Sequence, residues 1–254
     1  MSGPLAIKIG GSTLGAADTT LRDIARLAQS GDVPVVVHGR GSEASRWLEA
    51  MNIPSRFERG LRVTDEPVLP VVVAVFAGLV NKRIVAAING AGAPAVGLSG
   101  ADGRILRCKL ASPELGFVGE PESVDPRAIN ALREAGIIPV ISSIGYVPGG
   151  DADQLVNVNA DVIAGAIASA IGARQLLFLT DVEGVRGADG VAISSMDAAR
   201  ARALIAEGAI AGGMIPKVET CLLAVAAGVP VRILDGRQPG AILEHASRGT
   251  AITP

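Results

Sequence analysis

The sequence predicts an α/β protein with a mainly parallel central sheet. Two strand–glycine–helix units stand in the first 50 residues, with apolar strands at residues 5–9 and 33–38. Alternation of apolar strands with helix-periodic segments is typical of parallel sheets. Of the 254 residues, 49% are apolar but only 2% are aromatic, so Ala, Val, Leu and Ile must build the core. A chain of this length can form one large domain or two lobes around a cleft.

The bulk composition excludes several classes of protein. High apolar content with a net charge of -2 argues against disorder, and no basic, aromatic-interleaved patch indicates nucleic-acid binding. Cys108 and Cys221 are too few for a disulfide or zinc framework, so we expect two buried reduced thiols. No signal peptide is visible, and the apolar run 68–80 is shorter than the roughly 20 residues of a membrane span. We therefore expect a soluble, cytoplasmic protein.

Each of the first two strands is followed by a glycine loop and then a helix. The loops are Gly10-Gly11-Ser12 and Gly39-Arg40-Gly41-Ser42, and their helices are expected near residues 18–30 and around Trp47. Exposed N–H groups in such loops, next to a helix N-terminus, suit an anion. Lys8 stands near the end of the first strand, which strengthens this interpretation.

A long apolar helix is expected after a short hairpin or lid at residues 53–65. Thr64 or Asp65 is expected to cap this helix, which would extend to Asn89 with Pro67 and Pro70 in its first turns. Its body is apolar on every side, which predicts full burial, inside the lobe or against another subunit. We favour a homodimer contact through residues 67–89.

The remaining elements continue the α/β pattern. The stretch from Gly145 to Asp161 is expected to be rich in turns and to lead directly into a helix from Asn159. The other expected elements are a strand at 93–98, a hairpin at 102–121, a helix from Asp125 to Gly136, strands at 137–142, 176–181 and 231–234, and helices at 197–207 and from Pro216 to Gly228.

Two polar features indicate phosphate chemistry. Asn157, Asn159 and Asp161 supply more polar groups than one helix cap requires, and Lys217 stands at a helix N-terminus, where a cation needs an anion nearby. Two lysines and backbone N–H donors could neutralise a transferring phosphoryl group. A carboxylate acceptor would need no general base, and with His38 and His245 as the only histidines the chain offers no convincing Ser–His–Asp set.

Six segments, in this order, resemble the amino acid kinase family, and within it the branch that phosphorylates N-acetyl-L-glutamate. They are Lys8-Ile-Gly-Gly11, His38-Gly-Arg-Gly41, Gly60-Leu-Arg-Val-Thr64, Asn157-Val-Asn-Ala-Asp161, Leu179-Thr-Asp-Val-Glu-Gly-Val185 and Gly213-Met-Ile-Pro-Lys217. The resemblance implies a three-layer αβα sandwich with two lobes around a cleft. Residues 1–174 would bind the amino-acid substrate and form the dimer, and residues 175–254 would bind ATP.

The resemblance also implies the site residues and the reaction, which is ATP-dependent phosphorylation of the γ-carboxylate of N-acetyl-L-glutamate to the acyl phosphate in arginine biosynthesis. Lys8 and Lys217 would stabilise the phosphoryl group, and Asp161 would hold both lysines. Substrate would contact Gly39, Arg40, Arg62, Asn157 and Asn159. Phosphate and ATP would contact Gly10, Gly11, Gly41, Thr180, Asp181, Gly184, Val185, Arg186, Ala209, Ile210 and Ala211. Mg²⁺ would be bound through the ATP phosphates, with no protein metal site.

Some features depart from this pattern or favour a relative of it. Arg40 replaces the middle of three glycines, which would cost about 1 kcal/mol or more if the position needs positive φ. Residues 41–46 and 78–83 also resemble sister kinases acting on carrier-protein-linked 2-aminoadipate in lysine biosynthesis, although these tend to carry aspartate in place of Asn159. A non-catalytic amino acid sensor is a further alternative. Because the first strand begins near residue 5, we expect no N-terminal helix of the kind that links arginine-inhibited hexamers, and so a dimer insensitive to arginine.

Overall fold

The structure, a computed structural model, describes residues 3–10, 19–149, 151–187, 189–212 and 214–254. Its strands, in chain order, are β1 (Leu5–Ile9), β2 (Val35–His38), β3 (Phe57–Glu58), β4 (Leu61–Arg62), β5 (Ala95–Ser99), β6 (Leu106–Leu110), β7 (Val118–Val124), β8 (Ile138–Ser142), β9 (Ile144–Val147), β10 (Gln154–Val158), β11 (Gln175–Thr180), β12 (Ser195–Asp197), β13 (Val231–Asp235) and β14 (Thr250–Thr253). Its α-helices are α1 (Thr20–Gln29), α2 (Gly41–Ala50), α3 (Val68–Val73), α4 (Asn81–Gly90), α5 (Arg127–Glu134), α6 (Ala160–Ala170), α7 (Ala198–Ala206) and α8 (Met214–Ala226).

Eight strands form one twisted sheet in the order β12-β14-β13-β11-β1-β2-β8-β5. Neighbouring strands are parallel except for β13 and β14, which are antiparallel. β1 lies inside the sheet, so that Lys8 is paired with Phe178 of β11 and with Val37 of β2. The predicted mainly parallel sheet is therefore confirmed.

Two apolar clusters lie on opposite faces of this sheet. Successive strand residues point to opposite faces, and in β1 Leu5 and Ile7 pack into a cluster with the long helix and α1. Ala6 packs into the other cluster, together with α6 and α8. Helices cover both faces, as parallel sheets require, and this is the expected three-layer αβα sandwich.

Both cysteine thiols are buried and neither is in a disulfide, as the sequence predicts. Cys108 lies on β6 and Cys221 on α8, in the same apolar cluster. Burial raises the pKa of Cys108 to about 12 and also raises the pKa of Cys221. Neither thiol is therefore a nucleophile at neutral pH.

A small closed barrel of β6, β7, β9 and β10 stands beside the sheet. The predicted hairpins are confirmed, because β6 pairs with β7 and β3 pairs with β4, both antiparallel. The prediction of a turn-rich stretch at 145–161 that leads directly into a helix is wrong. β9 and β10 pair there, with Gln154 opposite Val147, and the turn residues occupy only the short connection between them.

One continuous helix, Val68–Gly90, contains α3, the π-helical segment Ala74–Val80 and α4. Its N-cap is Pro67, without a side-chain cap, so the prediction of a Thr64 or Asp65 cap is wrong. The Asp65 carbonyl oxygen accepts from the first N–H groups of the helix, and Thr64 Oγ1 donates to the carbonyl oxygen of Arg62.

The long helix is half-buried in the single chain. It has 23 residues, and its most apolar window of 18 residues has a mean hydropathy of 2.0, so by length and composition alone it could cross a membrane, unlike the shorter run considered above. Core helices of soluble proteins pass the same test, and 44% of this apolar window is buried. Val72 and Ile88 are buried, whereas Ala74 and Gly78 are exposed. The homodimer contact through this helix stays a prediction.

The C-terminal elements differ from expectation in detail. β12 and β14 were not predicted, because strands of three and four residues give no clear apolar alternation. Asp197 is the N-cap of α7, where its Oδ1 accepts from the N–H of Arg200 at 2.7 Å. The described part of α8 begins at Met214, so Lys217 is in its first turn rather than next to its first residue.

Candidate active site

An open cleft of about 230 Å³ lies at the carboxyl ends of β1 and β2. Open parallel sheets bind ligands at this edge because the strand-to-helix loops converge there. The structure brings eight of the predicted site residues to its walls. They are Lys8, Gly39, Arg40, Gly41, Arg62, Asn157, Asn159 and Asp161.

Lys8 and Asp161 form an ion pair in this cleft. The Lys8 ammonium lies 2.6 Å from Asp161 Oδ1, and 5.8 Å from the centre of the Phe178 ring. Asp161 is in the first turn of α6, where the helix dipole favours a carboxylate. The two side chains are only 14% and 23% exposed, so water screens the pair weakly. An ammonium has three donors, so Lys8 is held in place while N–H groups stay available to an anion.

Asn157 and Asn159 have different surroundings. Asn159 caps α6, as expected for a helix beginning there, because its Oδ1 accepts from the N–H groups of Asp161 (2.8 Å) and Val162 (3.3 Å). Asn157 lies on β10 rather than at the helix start, and its Nδ2 donates to Thr64 Oγ1 at 3.0 Å. The Asn157 amide is thus fixed at the cleft wall by Thr64, which sequence reasoning missed.

The loop between β2 and α2 approaches α6 closely. A Cβ at Gly39 would lie 2.9 Å from Ala160 Cβ, so this position requires glycine. Arg40 has a φ of 83°, in the left-handed region that costs a non-glycine residue about 1–2 kcal/mol. The position where arginine replaces a glycine is therefore one that needs positive φ. Arg40 is partly exposed and lines the cleft.

The first glycine loop is described only at its beginning. The Gly10 N–H donates to the Leu179 carbonyl oxygen at 3.2 Å, which ties the end of β1 to β11. A Cβ at Gly10 would lie 2.7 Å from the same oxygen. Gly11, which was also predicted to contact phosphate, lies outside the described residues.

Arg62 is buried at the opposite end of the loop. Its Nη2 donates to the Gly41 carbonyl oxygen (2.8 Å) and to Ser45 Oγ (2.7 Å), and its Nη1 donates to Ser55 Oγ. The guanidinium carbon also lies 4.6 Å from the centre of the Phe57 ring. Burial lowers the pKa of Arg62, but a guanidinium remains a cation at neutral pH. Three of its five N–H groups make these bonds, which leaves one on Nε and one on Nη1.

Lys217 has a different partner from the one expected. Its Nζ lies 3.2 Å from Asp181 Oδ1, whereas we expected Asp161 to hold both lysines. The hydrogen bond from Lys217 is the main reason why the pKa of Asp181 lies below its usual value. These side chains are 35% and 43% exposed, so an incoming phosphate can reach the lysine.

Of the described residues predicted to contact phosphate or ATP, Gly41 alone lines the cleft around Lys8. Val185 and Ile210 are buried, and their backbone N–H groups already donate to Thr250 Oγ1 and to the Leu204 carbonyl oxygen. Arg186 donates to the carbonyl oxygen of Gly190 and pairs with Glu183, outside the cleft. The residues outside the cleft are Gly10, Thr180, Asp181, Gly184, Val185, Arg186, Ala209, Ile210, Ala211 and Lys217.

Sequence reasoning missed the apolar part of the cleft wall. The missed residues are Ile9, Phe57, Gly60, Leu61, Phe76, Val118, Ser143, Val158 and Ala160. Most are apolar side chains that the sequence cannot distinguish from core residues. Gly60, with a φ of 79° in the β3–β4 turn, is the member that the hairpin signal could have located. A second cavity of about 510 Å³ adjoins the cleft and shares Leu61, Val118, Val158 and Asn159 with it.

Comparison with known proteins identifies the family of this chain. The amino acid kinase family matches residues 4–235. The acetylglutamate kinase of Jannaschia sp. (strain CCS1) is 48% identical over 243 residues, which are 94% of this chain and 84% of the relative. That of Dehalococcoides mccartyi (strain CBDB1) is 42% identical over 253 residues, 98% of this chain and 93% of the relative. The solved structure of smu.665 from Streptococcus mutans UA159 has a TM-score of 0.83 at 28% identity and covers 100% of this chain and 99% of that one. These matches confirm the resemblance read from the motifs, and the chain belongs to the amino acid kinase family.

Proposed function

We propose that this protein transfers the γ-phosphoryl group of ATP to the γ-carboxylate of N-acetyl-L-glutamate, as a step of arginine biosynthesis. The observation that carries the proposal is the cleft itself, in which the ion-paired Lys8, a glycine loop and the buried Arg62 line one cavity. Relatives named acetylglutamate kinase, at 42% and 48% identity, support this acceptor. Membership of the amino acid kinase family supports the use of ATP.

The acceptor would be held by its α-carboxylate at Arg62. A guanidinium matches a carboxylate with two parallel N–H bonds, which a lysine ammonium cannot do. Both N–H groups of Nη2 are donated to Gly41 and Ser45 in the structure, and each parallel N–H pair of a guanidinium includes one on Nη2, so the substrate carboxylate would displace one of these two bonds. Asn157, held by Thr64, would contact the other polar groups of the substrate.

The reaction joins two anions and needs no general base. The acceptor carboxylate is ionised at neutral pH, and one of its oxygens forms the new bond to the γ-phosphorus. The bond between that phosphorus and the β,γ-bridging oxygen breaks, and its electron pair leaves with ADP. Lys8, directed by Asp161, would neutralise the charge on the transferring group, and N–H groups of the glycine loops would assist.

Lys217 would act from the nucleotide side. In the structure Lys217 is paired with Asp181. We propose that, when ATP binds, Lys217 leaves Asp181 and pairs with phosphate oxygens instead. The exchange is favourable because ATP phosphates carry more negative charge than one carboxylate. Thr180, Gly184 to Arg186 and Ala209 to Ala211 would contact the remainder of the nucleotide.

Magnesium would be carried by the nucleotide and would neutralise part of the charge of its phosphates. The donor set fits this arrangement, because Mg²⁺ commonly takes only one or two protein carboxylates and keeps several waters. Among the described residues, no three His, Cys, Asp or Glu side chains come together as a metal site. Asp161 and Asp181 are each already paired with a lysine.

The wider organisation follows the same proposal. Residues 1–174 would bind the acceptor and residues 175–254 would bind ATP, with β11 of the second part paired to β1 of the first. The exposed face of the Val68–Gly90 helix would form a homodimer contact, and the protein would act in the cytoplasm. Equilibrium sedimentation, with and without arginine, tests the expected dimer.

One assay tests the activity against its alternatives. Purified protein, ATP and Mg²⁺ are supplied with N-acetyl-L-glutamate, glutamate, aspartate or carrier-linked 2-aminoadipate, and hydroxylamine converts any acyl phosphate to a hydroxamate. We expect hydroxamate and equimolar ADP with N-acetyl-L-glutamate.

If hydroxamate forms only with carrier-linked 2-aminoadipate, the protein instead has the activity of the sister kinases. The cavity of about 510 Å³ beside the cleft is the observation that favours it, since it could take a larger acyl group. Binding of an amino acid with no product from any acceptor would indicate a sensor.

A further inference from the structure

A buried polar contact connects the long helix to the glycine loop. Asn81, the first residue of α4, is 0% exposed, and its Nδ2 lies 3.0 Å from His38 Nε2. The same nitrogen donates to the carbonyl oxygens of Val140 (2.9 Å) and Leu98 (3.3 Å). Carbonyl oxygens only accept, so the amide nitrogen faces them, and its two hydrogens are shared among three acceptors, of which His38 Nε2 is one. The neutral imidazole then carries its proton on Nδ1, a buried atom that has no hydrogen-bond partner among the described residues.

Several features of the chain accommodate this amide. A Cβ at Gly97 would lie 1.8 Å from Asn81 Oδ1, so the strand opposite the amide carries no side chain at that point. The π-helical segment Ala74–Val80 ends immediately before Asn81, and a π turn changes the register of the residues that follow it. Burying an amide is costly unless it is hydrogen-bonded. If position 81 only had to fill space in the core, an apolar side chain would be sufficient there, as at the buried Val80 and Ile84 of the same helix.

The contact ends at the residue that precedes the cleft loop. His38 is the last residue of β2, and Gly39, Arg40 and Gly41 follow it along the cleft wall. Burial lowers the pKa of His38 to about 4, so its ring is a neutral acceptor at neutral pH.

The same helix also reaches the far side of the loop. Arg83 Nη1 lies 3.3 Å from Glu43 Oε1, and the Glu43 N–H donates to the Arg40 carbonyl oxygen at 3.1 Å. Arg83 is mostly exposed and Glu43 is buried, so this second contact is weaker than the buried amide. The helix therefore contacts both sides of the strained Arg40.

We propose that Asn81 is a positioning residue for phosphoryl transfer, acting through His38 on the conformation of the Gly39–Arg40–Gly41 loop. A loop residue in an unfavourable backbone conformation keeps it only where its surroundings fix it. Arg40 is such a residue, and the Asn81–His38 hydrogen bond fixes the chain immediately before it. The catalytic part of this inference rests on the proposed function.

Kinetics of matched variants test the positioning role. Asn81→Leu removes the amide at similar volume. Asn89→Leu is its control, because Asn89 is on the same helix and accepts from the Ala95 N–H, away from the loop. We expect Asn81→Leu to lower kcat/KM for N-acetyl-L-glutamate at least tenfold while the KM for ATP stays within twofold. The control should stay within twofold of wild type in both.

Substitutions at His38 separate positioning from packing. His38→Gln keeps an acceptor for Asn81 and should retain activity within a few fold, whereas His38→Leu should match Asn81→Leu. The double variant with both leucines should lose no more than either single one, because the two residues form one hydrogen bond. Wild-type kinetics in a folded Asn81→Leu protein, or losses that multiply in the double variant, would overturn the proposal.

Hydrogen exchange tests the same contact without turnover. Amide exchange of the peptide covering residues 39–43 should be about tenfold faster in Asn81→Leu than in wild type or Asn89→Leu. If wild type makes no acyl phosphate but this exchange responds, the proposed function fails and the positioning role stands. If wild type turns over normally but amide exchange of residues 39–43 is the same in Asn81→Leu as in wild type, the positioning role is refuted. Should Asn81→Leu not fold, His38→Leu against His38→Gln gives the same contrast.

Discussion

Replacing Asp161 by asparagine tests whether its ion pair orders Lys8 for phosphoryl transfer. Asparagine has the same shape and keeps an oxygen near the Lys8 ammonium, now 2.6 Å from Asp161 Oδ1, but it removes the negative charge. Hydrogen bonds to charged groups contribute about 1.5–3 kcal/mol. Because about 1.4 kcal/mol corresponds to tenfold in rate, we expect Asp161→Asn to lower kcat about 10- to 100-fold.

Lys8→Ala sets the scale for this loss. It removes the donor itself, and loss of one donor to transition-state charge costs about 10²–10³ in kcat. If Asp161 acts through Lys8, the double variant should be no slower than Lys8→Ala alone. Hydroxamate formation at saturating ATP and N-acetyl-L-glutamate gives kcat directly.

The control for charge removal is Asp153→Asn. Asp153 pairs with Arg104 at 2.9 Å on the barrel, away from the cleft, so its kcat should equal that of wild type. The reasoning is refuted if Asp161→Asn keeps the wild-type kcat. It is also refuted if the losses of Asp161→Asn and Lys8→Ala multiply, since Asp161 would then act on another group.

Three further predictions concern strain, pH and nucleotide binding. Arg40→Gly should raise the free energy of unfolding by about 1 kcal/mol, measured by urea denaturation, because it relieves the φ of 83°; an unchanged value would mean that Arg40 is not strained. The pKa of His38 is near 6.5 in the unfolded chain and about 4 in the folded protein. The free energy of unfolding should therefore fall by up to about 3 kcal/mol as the pH drops from 6.5 to 4. His38→Gln should lack this part of the pH dependence, and an equal change of stability with pH in both proteins would contradict the prediction. Lys217→Met should weaken ATP binding by calorimetry about tenfold and lower kcat, whereas Asp181→Asn, which frees Lys217, should not weaken ATP binding; the opposite order would show that Asp181 is the more important contact.

The fold class and the core of the cleft could be predicted because both leave periodic or turn-specific signals. Apolar strands followed by glycine loops locate β1 and β2, and loops after parallel strands meet at one edge of the sheet. Lys8, Gly39 and Gly41 are therefore found from position alone. The sequence of motifs then supplied Arg62 and Asp161, which lie far from them along the chain but line the same cavity.

The predictions were wrong where the same local sequence pattern is compatible with two different local structures. Pro148 and Gly149 indicate a turn, but they cannot show that the residues on either side pair as β9 and β10. Asn157 was consequently placed at a helix start when it belongs to a strand. The partner of Lys217 could not be predicted either, because the choice between Asp161 and Asp181 depends on the positions of two loops rather than on spacing.

The position of β1 within the sheet has a consequence for how the protein is made. β1 pairs with β2 nearby in sequence and with β11 about 170 residues later. During synthesis, β1, β2, β8 and β5 can pair before β11 has left the ribosome, and β1 is then an exposed sheet edge open to wrong partners. Docking of β11 closes that edge through a long-range contact, which is a slow kind of step. It also brings Leu179 to Gly10, beside Lys8. We expect the nascent chain to be inactive until this late docking, which a time course of activity during cell-free synthesis would show.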